Sequence, residues 1–330
     1  MASSVPILEV RGLTTVFRQG DATFRAVDDA SFLLGRGEVM GLVGESGSGK
    51  STLGYSIMRL IDQPGIISAG EVLLNGKDIL RLPESGMRDL RGTRISMIFQ
   101  DPMTSLHPML RIGDQMVDAI VAHRAMPRRD AVARCRDMLG RVGIPAPEER
   151  LQSYPHQLSG GMRQRVAIAI AMLNDPDVII ADEPTTGLDV TIQAQILSEV
   201  QGLVAERGLG LVWITHDLAV VATLADRIAV MYAGAIVETG TVDEVIDSPA
   251  HPYTVALLGA LPAQNRDRPR LAQIPGSYSV RDVGSGCRFA PRCSYRVAAC
   301  DVYPPLLAAA DGGGHAVRCI RKTTPQGMPS

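Results

Sequence analysis

The chain has 330 residues, with 33 Lys and Arg against 35 Asp and Glu for a net charge of −2, and 45% of it is hydrophobic. That length exceeds what a single core usually holds, so more than one domain is expected, and the near-neutral balance lacks the basic face that binding to nucleic acid needs. The longest apolar run, near residues 166–173, is far below the ~20 residues of a membrane span, and no basic-then-apolar leader opens the sequence, so a soluble cytosolic protein is expected.

Leu8-Glu9-Val10 opens a strand-like segment, and residues 26–34 lead to the turn at 35–38; together they predict a small antiparallel layer. Phe17 stands before a Gly-Asp turn in it, where an aromatic ring suits stacking on a base and core packing equally. The apolar run 39–43 then meets Gly44-Glu45-Ser46-Gly47-Ser48-Gly49-Lys50-Ser51-Thr52, which reads G-x-x-x-x-G-K-S, and 53–60 continue as a helix. Strand, glycine loop and helix in that order are the context of a phosphate loop, in which backbone N–H groups and the helix N-terminus face a triphosphate. Lys50 is expected on the β- and γ-phosphates and the Ser51 hydroxyl on Mg²⁺.

Residues 70–74 with Asn75-Gly76 predict a strand entering a tight turn, and 78–90 turn polar and helical. Residues 95–99 predict a buried strand ending at Gln100, where Asp101-Pro102 stops it and leaves a polar amide at the strand end. From 113 to 150 the pattern is helical, with Ala119, Ile120, Val132, Met138 and Leu139 apolar among charges, and predicts a helical arm inserted into an α/β body; its lone Cys135 reads as a buried thiol.

Leu158-Ser159-Gly160-Gly161-Met162 precedes a helix over 163–173 and is a second glycine turn with a helix N-terminus suited to phosphate. The strand over 178–183 ends in Asp182 and Glu183, acids that are costly to bury without a cation. Asp182 is expected to hold Mg²⁺ through its water shell, and Glu183 to orient or deprotonate an attacking water. Gly187-Leu188-Asp189 leads into another helix, and 211–215 form a strand ending at His216. Open parallel sheets bind ligands along their C-terminal edge, where the phosphate loop, Gln100, Asp182, Glu183 and His216 are expected.

On these residues the chain resembles the ATP-binding-cassette transporter ATPases over about 5–245. The resemblance implies an α/β P-loop NTPase fold with an antiparallel β layer and an inserted helical subdomain at about 101–160. It makes Phe17 the adenine-stacking aromatic, Gly44, Ser46, Gly47, Ser48, Gly49, Lys50, Ser51 and Thr52 the Walker A loop, and Gln100 the Q-loop glutamine. Ser159, Gly160 and Gly161 become the signature motif, Asp182 the Walker B aspartate, Glu183 the catalytic base, Asp189 the D-loop acid and His216 the switch histidine. Catalysis would fall to Glu183, His216, Gln100 and Lys50, and Mg²⁺ to Ser51, Gln100 and Asp182. ATP is then shared between one chain's Walker A loop and its partner's signature motif.

His251-Pro252-Tyr253-Thr254, Gly286-Cys287, Phe289 and Pro291-Arg292-Cys293 resemble the C-terminal extension of the dipeptide/oligopeptide and nickel importer ATPases, although 276–286 lack the prolines expected there. This implies a small irregular domain at 246–330. It also implies two membrane permease subunits, a second ATPase that is a paralogue or a second copy, an extracytoplasmic binding protein and a place on the cytoplasmic face of the inner membrane. Peptide, nickel and glutathione remain open as cargo. A soluble cassette ATPase of DNA repair or translation would share the motifs, but such relatives carry long insertions or two cassettes, and the Gln100–Ser159 interval here is short.

Cys287, Cys293, Cys300 and Cys319 are separated by five, six and eighteen residues in a loop-rich tail that needs a staple. Structural zinc favours two to four residues between ligands, so these gaps suit a larger centre better. The resemblance implies a [4Fe–4S] cluster on the four thiols, with Zn²⁺ the alternative, His315 able to replace one ligand, and Arg288, Arg292, Arg296 and Arg318 offsetting its charge.

Overall fold

Residues 178–181 are hydrophobic without a break, and such a run is satisfied by a strand covered on both faces rather than by one lying on a surface. In the computed structural model, which describes residues 5–20, 22–261, 273–276, 286–308 and 314–320, they do form such a strand. The chain divides into two units: residues 1–8, 34–39 and 74–214 make the first, and 9–33, 40–73 and 215–330 the second.

In the first unit Val178–Asp182 lies parallel to Ile95–Ile98 on one side, with Ile95 opposite Val178, and to Gly210–Thr215 on the other, with Val178 opposite Gly210. Every position of Val178–Asp182 and Gly210–Thr215 is buried. The helical stretch expected over 113–150 is three helices, Ile112–Val121, Arg128–Arg141 and Pro147–Leu151. Prolines set two of the breaks: Pro127 precedes the second helix and Pro147 occupies the first turn of the third, where its missing N–H costs nothing. Ile112, Met116, Val117 and Ile120 of the first face the core with Ala131, Cys135, Met138 and Leu139 of the second. Burial pushes the Cys135 thiol up to about 12, which makes it a packing group. The helix expected over 78–90 is confined to Glu84–Leu90, because Pro83 marks its start.

In the second unit Val39–Val43 runs parallel to Arg227–Tyr232, with Met40 opposite Arg227. Arg227–Tyr232 pairs antiparallel with Ala235–Thr241, and that strand with Ala316–Val317, which pairs with Leu307–Ala308. The tail thus adds edge strands to the sheet that carries the glycine loop. A further sheet contains Ala22–Leu34, Leu8–Gln19 and Gly65–Leu74 side by side, each longer than its apolar pattern alone marks. Among the described residues no helix is long and apolar enough to cross a membrane.

Candidate functional site: a phosphate loop and a strand-end acid pair

In the second unit the fully buried strand Val39–Val43 delivers the chain into the glycine loop. A Cβ on Gly44 would sit 2.1 Å from the Met231 carbonyl oxygen, and one on Gly49, where φ is 101°, 2.3 Å from that of Ala26. Neither position accepts a side chain. A Cβ on Gly47 would meet nothing within 4 Å, so the loop is pinned at its ends and open at its crown. The helix Lys50–Ile57 starts at Gly49, which has no side chain to cap it, and first-turn N–H groups are the ready donors for an anion.

Lys50 is only 5% exposed, and its Nζ donates to the carbonyl oxygens of Gly44 (2.9 Å) and Glu45 (3.0 Å). The ammonium therefore lies inside the curve of the loop. Ser48 is buried, Ser46 exposed, and Ser51 and Thr52 half-buried on the first helical turn. Cradle, lysine and hydroxyl fit a Mg²⁺–nucleotide triphosphate. Phe17 is half-buried and stacks on Phe24, ring centroids 5.6 Å apart and planes 14° apart. His216 is exposed, and Asp217 beside it caps Leu218–Leu224 by accepting from the Ala219 N–H at 2.9 Å.

In the first unit Asp182 ends its strand at 1% exposure. Glu183 follows with φ at +44°, a left-handed conformation costly for a side chain of its size, and its N–H donates to the Ile214 carbonyl at 2.9 Å. That turn takes Glu183 out of the strand. Its Oε2 then accepts from the Thr186 hydroxyl at 2.9 Å and from Gln100 Nε2 at 3.3 Å. Two residues 83 apart in sequence are thus in contact, as expected of strand ends on one edge. A carboxylate oriented by two donors at a strand end is an arrangement suited to a general base.

The second glycine turn is built differently. Ser159 Oγ accepts from the Met162 N–H at 3.3 Å, capping the helix Gly160–Met172. Asp189 caps Val190–Arg207 by accepting from the Ile192 N–H at 2.9 Å, and a Cβ on Gly161 would approach Ile192 Cγ2 to 2.9 Å, so the two turns touch.

The family profile described as "ABC transporter" matches residues 27–186, and "Oligopeptide/dipeptide transporter, C-terminal region" matches 237–300. The dipeptide transport ATP-binding protein DppD of Escherichia coli K12 is 49% identical, over 93% of this chain and 94% of its own length. A Brucella melitensis protein named as a peptide import ATP-binding protein is 48% identical over 97% and 98%. The chain belongs to the ATP-binding subunits of peptide-importing ABC transporters. Among solved structures, the cassette MJ0796 as a post-hydrolysis dimer with ADP and phosphate superposes with a TM-score of 0.65 at 27% identity, over 71% of this chain and 98% of that one. CbiO1 of Clostridium perfringens, part of the complex cbiONQ, gives 0.62 at 30% identity over 73% and 91%. The fold is that of an ABC ATPase cassette, a P-loop NTPase with mixed α/β sheets.

The iron–sulfur expectation for this cassette is corrected. Among the described residues, which include Cys287, Cys293, Cys300 and Cys319, no group of three or more His, Cys, Asp or Glu side chains is arranged to hold a metal. The same residues give no support to the zinc alternative. Cys300 is buried, its carbonyl accepts the Cys287 N–H at 2.8 Å, and burial raises the Cys287 thiol above its ordinary range.

The staple is arginine and aromatic instead. Arg288 pairs with Asp28 and donates to the Ala233 carbonyl; Arg318 pairs with Asp29 at 3.0 Å; Arg292 grips Glu45 through both nitrogens, at 2.7 and 3.1 Å. Arg296, pairing with Asp301 at 3.0 Å, stays local. Phe289 meets Tyr232 edge-on at 5.3 Å and Tyr253 at 5.5 Å. The four arginines expected to balance a cluster are thus matched to carboxylates, and sequence reading missed this because three of the partners lie near the other end of the chain.

Proposed function

We propose that this cassette hydrolyses ATP to drive uptake of dipeptides or short oligopeptides, with the motif residues in the following roles. Lys50 and the N–H groups of 44–52 bind the β- and γ-phosphates, and Phe17 lies against the adenine. Glu183 takes the proton of the attacking water, Gln100 orients that water, and His216 and Asp189 sense the γ-phosphate. Mg²⁺, for which Ser51, Gln100 and Asp182 are the assigned residues, supplies charge neutralisation at the phosphates. Ser159, Gly160 and Gly161 serve the nucleotide of a partner cassette, a paralogue or a second copy. The carrying observation is the Glu183 carboxylate held by Gln100 and Thr186 beside the buried Asp182.

The working layout is an ATPase domain at 1–245, with its helical subdomain at about 101–160, and a C-terminal domain at 246–330. Within the helical part, Met103, Met109 and Leu110 are exposed, Met109 at 76%. Exposed apolar groups in such a cluster suit a protein partner, so residues 101–116 are assigned to the permease subunits at the cytoplasmic face of the membrane. An extracytoplasmic binding protein completes the importer, and no nucleic acid takes part. The test is purification of the whole complex from membranes, followed by mass spectrometry of the solute on its binding protein. Short peptides there, with cross-links from Ser105 or Leu106 to the permeases, support the reading; nickel or glutathione as the sole solute overturns the cargo.

A further inference from the structure

Glu45 is held at every polar point. Its N–H donates to the Tyr253 hydroxyl at 2.9 Å, its carbonyl accepts from Lys50 Nζ at 3.0 Å, and its carboxylate takes the two-pronged grip of Arg292. Arg292 is itself 6% exposed at the side chain and anchored by the carbonyls of Pro275 (2.7 Å) and Ile274 (3.3 Å) and by the Tyr232 hydroxyl (3.4 Å). Tyr253 is fully buried on the helix Pro252–Gly259, its ring against Tyr232 at 4.6 Å. A second grip lies four residues before Arg292: Arg288 holds the Ala233 carbonyl, and the next residue, Gly234, donates its N–H to the Ser48 carbonyl at 2.8 Å. Glu45 at the start of the phosphate loop and Ser48 within it therefore rest on residues that the C-terminal segment fixes.

From this geometry we infer that Arg292 and Tyr253 are positioning residues for ATP: through Glu45 they preset the peptide groups that frame Lys50, so that the loop meets the triphosphate already shaped. A loop held in its binding form loses less conformational freedom when ligand arrives, and that saving appears in affinity rather than in the chemical step. Glu45 stands at a position where the phosphate-loop pattern accepts any residue, which frees its side chain for this contact. The inference rests on the assignment of the loop to ATP made above.

The test is titration calorimetry of the purified full-length protein with Mg²⁺–ATP, together with ATPase rates at saturating ATP. Arg292→Gln is expected to raise the Kd about tenfold and Tyr253→Phe, which deletes one hydroxyl, about threefold, with saturated turnover within about twofold of wild type. Combining Glu45→Gln with Arg292→Gln should weaken binding no further than Arg292→Gln alone, because the two act through one contact. Arg318→Gln breaks the tail's anchor at Asp29, away from the loop; it should lower Tm and leave the Kd unchanged. An unchanged Kd in both Arg292→Gln and Tyr253→Phe overturns the inference while leaving the ATP site intact. So does a Kd shift in Arg318→Gln as large as that in Arg292→Gln, since tail docking of any kind would then suffice. A wild-type chain that binds no Mg²⁺–ATP would overturn the inference and the ATP assignment together, and Lys50→Ala in the same titration separates specific from general binding.

Discussion

The chain contains two glycine turns that open helices, and they are finished in opposite ways. At Gly44–Thr52 the turn has no side chain at its cap, buries a lysine within its curve, and is braced from outside by Tyr253 and Arg292. At Leu158–Met162 the serine caps its own helix, and Gly161 permits close packing against Ile192. A self-capped turn is complete on its own, whereas an uncapped one with an internal cation is built around an anion. Identical residue types thus give one turn that holds a ligand by itself and one that contributes only a surface and a hydroxyl.

That contrast orders the expected effects. Glu183→Gln removes the proton acceptor without touching either turn; turnover should fall by about 10²–10⁴-fold while ATP affinity in a binding assay stays at the wild-type value. Loss of affinity in this variant would break the contrast, because the loop would then not suffice for binding. Acid should act next. Burial holds His251 down to about 4 from its ordinary 6.5, and its Nδ1 accepts from the Tyr253 N–H at 3.0 Å, beneath the tyrosine that braces the loop. The folded state binds fewer protons here than the unfolded one, so this contribution, on the order of 3 kcal/mol, is fully present above pH 6.5 and is lost as pH falls towards 4. Thermal melts between pH 7 and pH 4 check it, and His251→Asn should flatten the profile.

Lys50→Ala should cost about 1.5–3 kcal/mol of ATP binding, roughly 10- to 150-fold, read by the same titration. Ser159→Ala should be the mildest: a long cap bond contributes about 0.5–1 kcal/mol of stability, so Tm drops slightly and ATP binding by the isolated chain is untouched. A large loss of nucleotide affinity there would place the second turn beside the first in kind.

What could be read from the sequence follows the range of the signal. Gly44–Thr52 after its strand and the helix that follows Asp189 are local patterns found where their patterns put them, whereas the strand expected over 178–183 stops at Asp182 and turns Glu183 out of it. Gln100 meeting Glu183 followed from one added rule, that parallel strands end on one edge. The helical arm expected over 113–150 is present as three helices, with breaks before Pro127 and Pro147. Phe17 shows the limit of position alone, because its stacking partner Phe24 sits on the adjacent strand. The tail defeated sequence reading for a different reason. Cysteines advertise themselves by spacing, whereas an arginine that will find a carboxylate at the far end of the chain looks like any other exposed cation.

Those pairings reach far: Arg292 to Glu45 spans 247 positions, Arg288 to Asp28 260, and Arg318 to Asp29 289. On a ribosome adding about 5–20 residues per second, Glu45 is made roughly 12–50 seconds before the arginine that will hold it. From the time Tyr232 and Tyr253 are made until Phe289 follows, their faces have nothing from that residue to cover them, and the nucleotide end of the second unit is finished last although its motif is synthesised early. A message truncated shortly before codon 288 would therefore yield a cassette with every motif of its trade and an uncovered aromatic flank, a ready client for chaperone and protease.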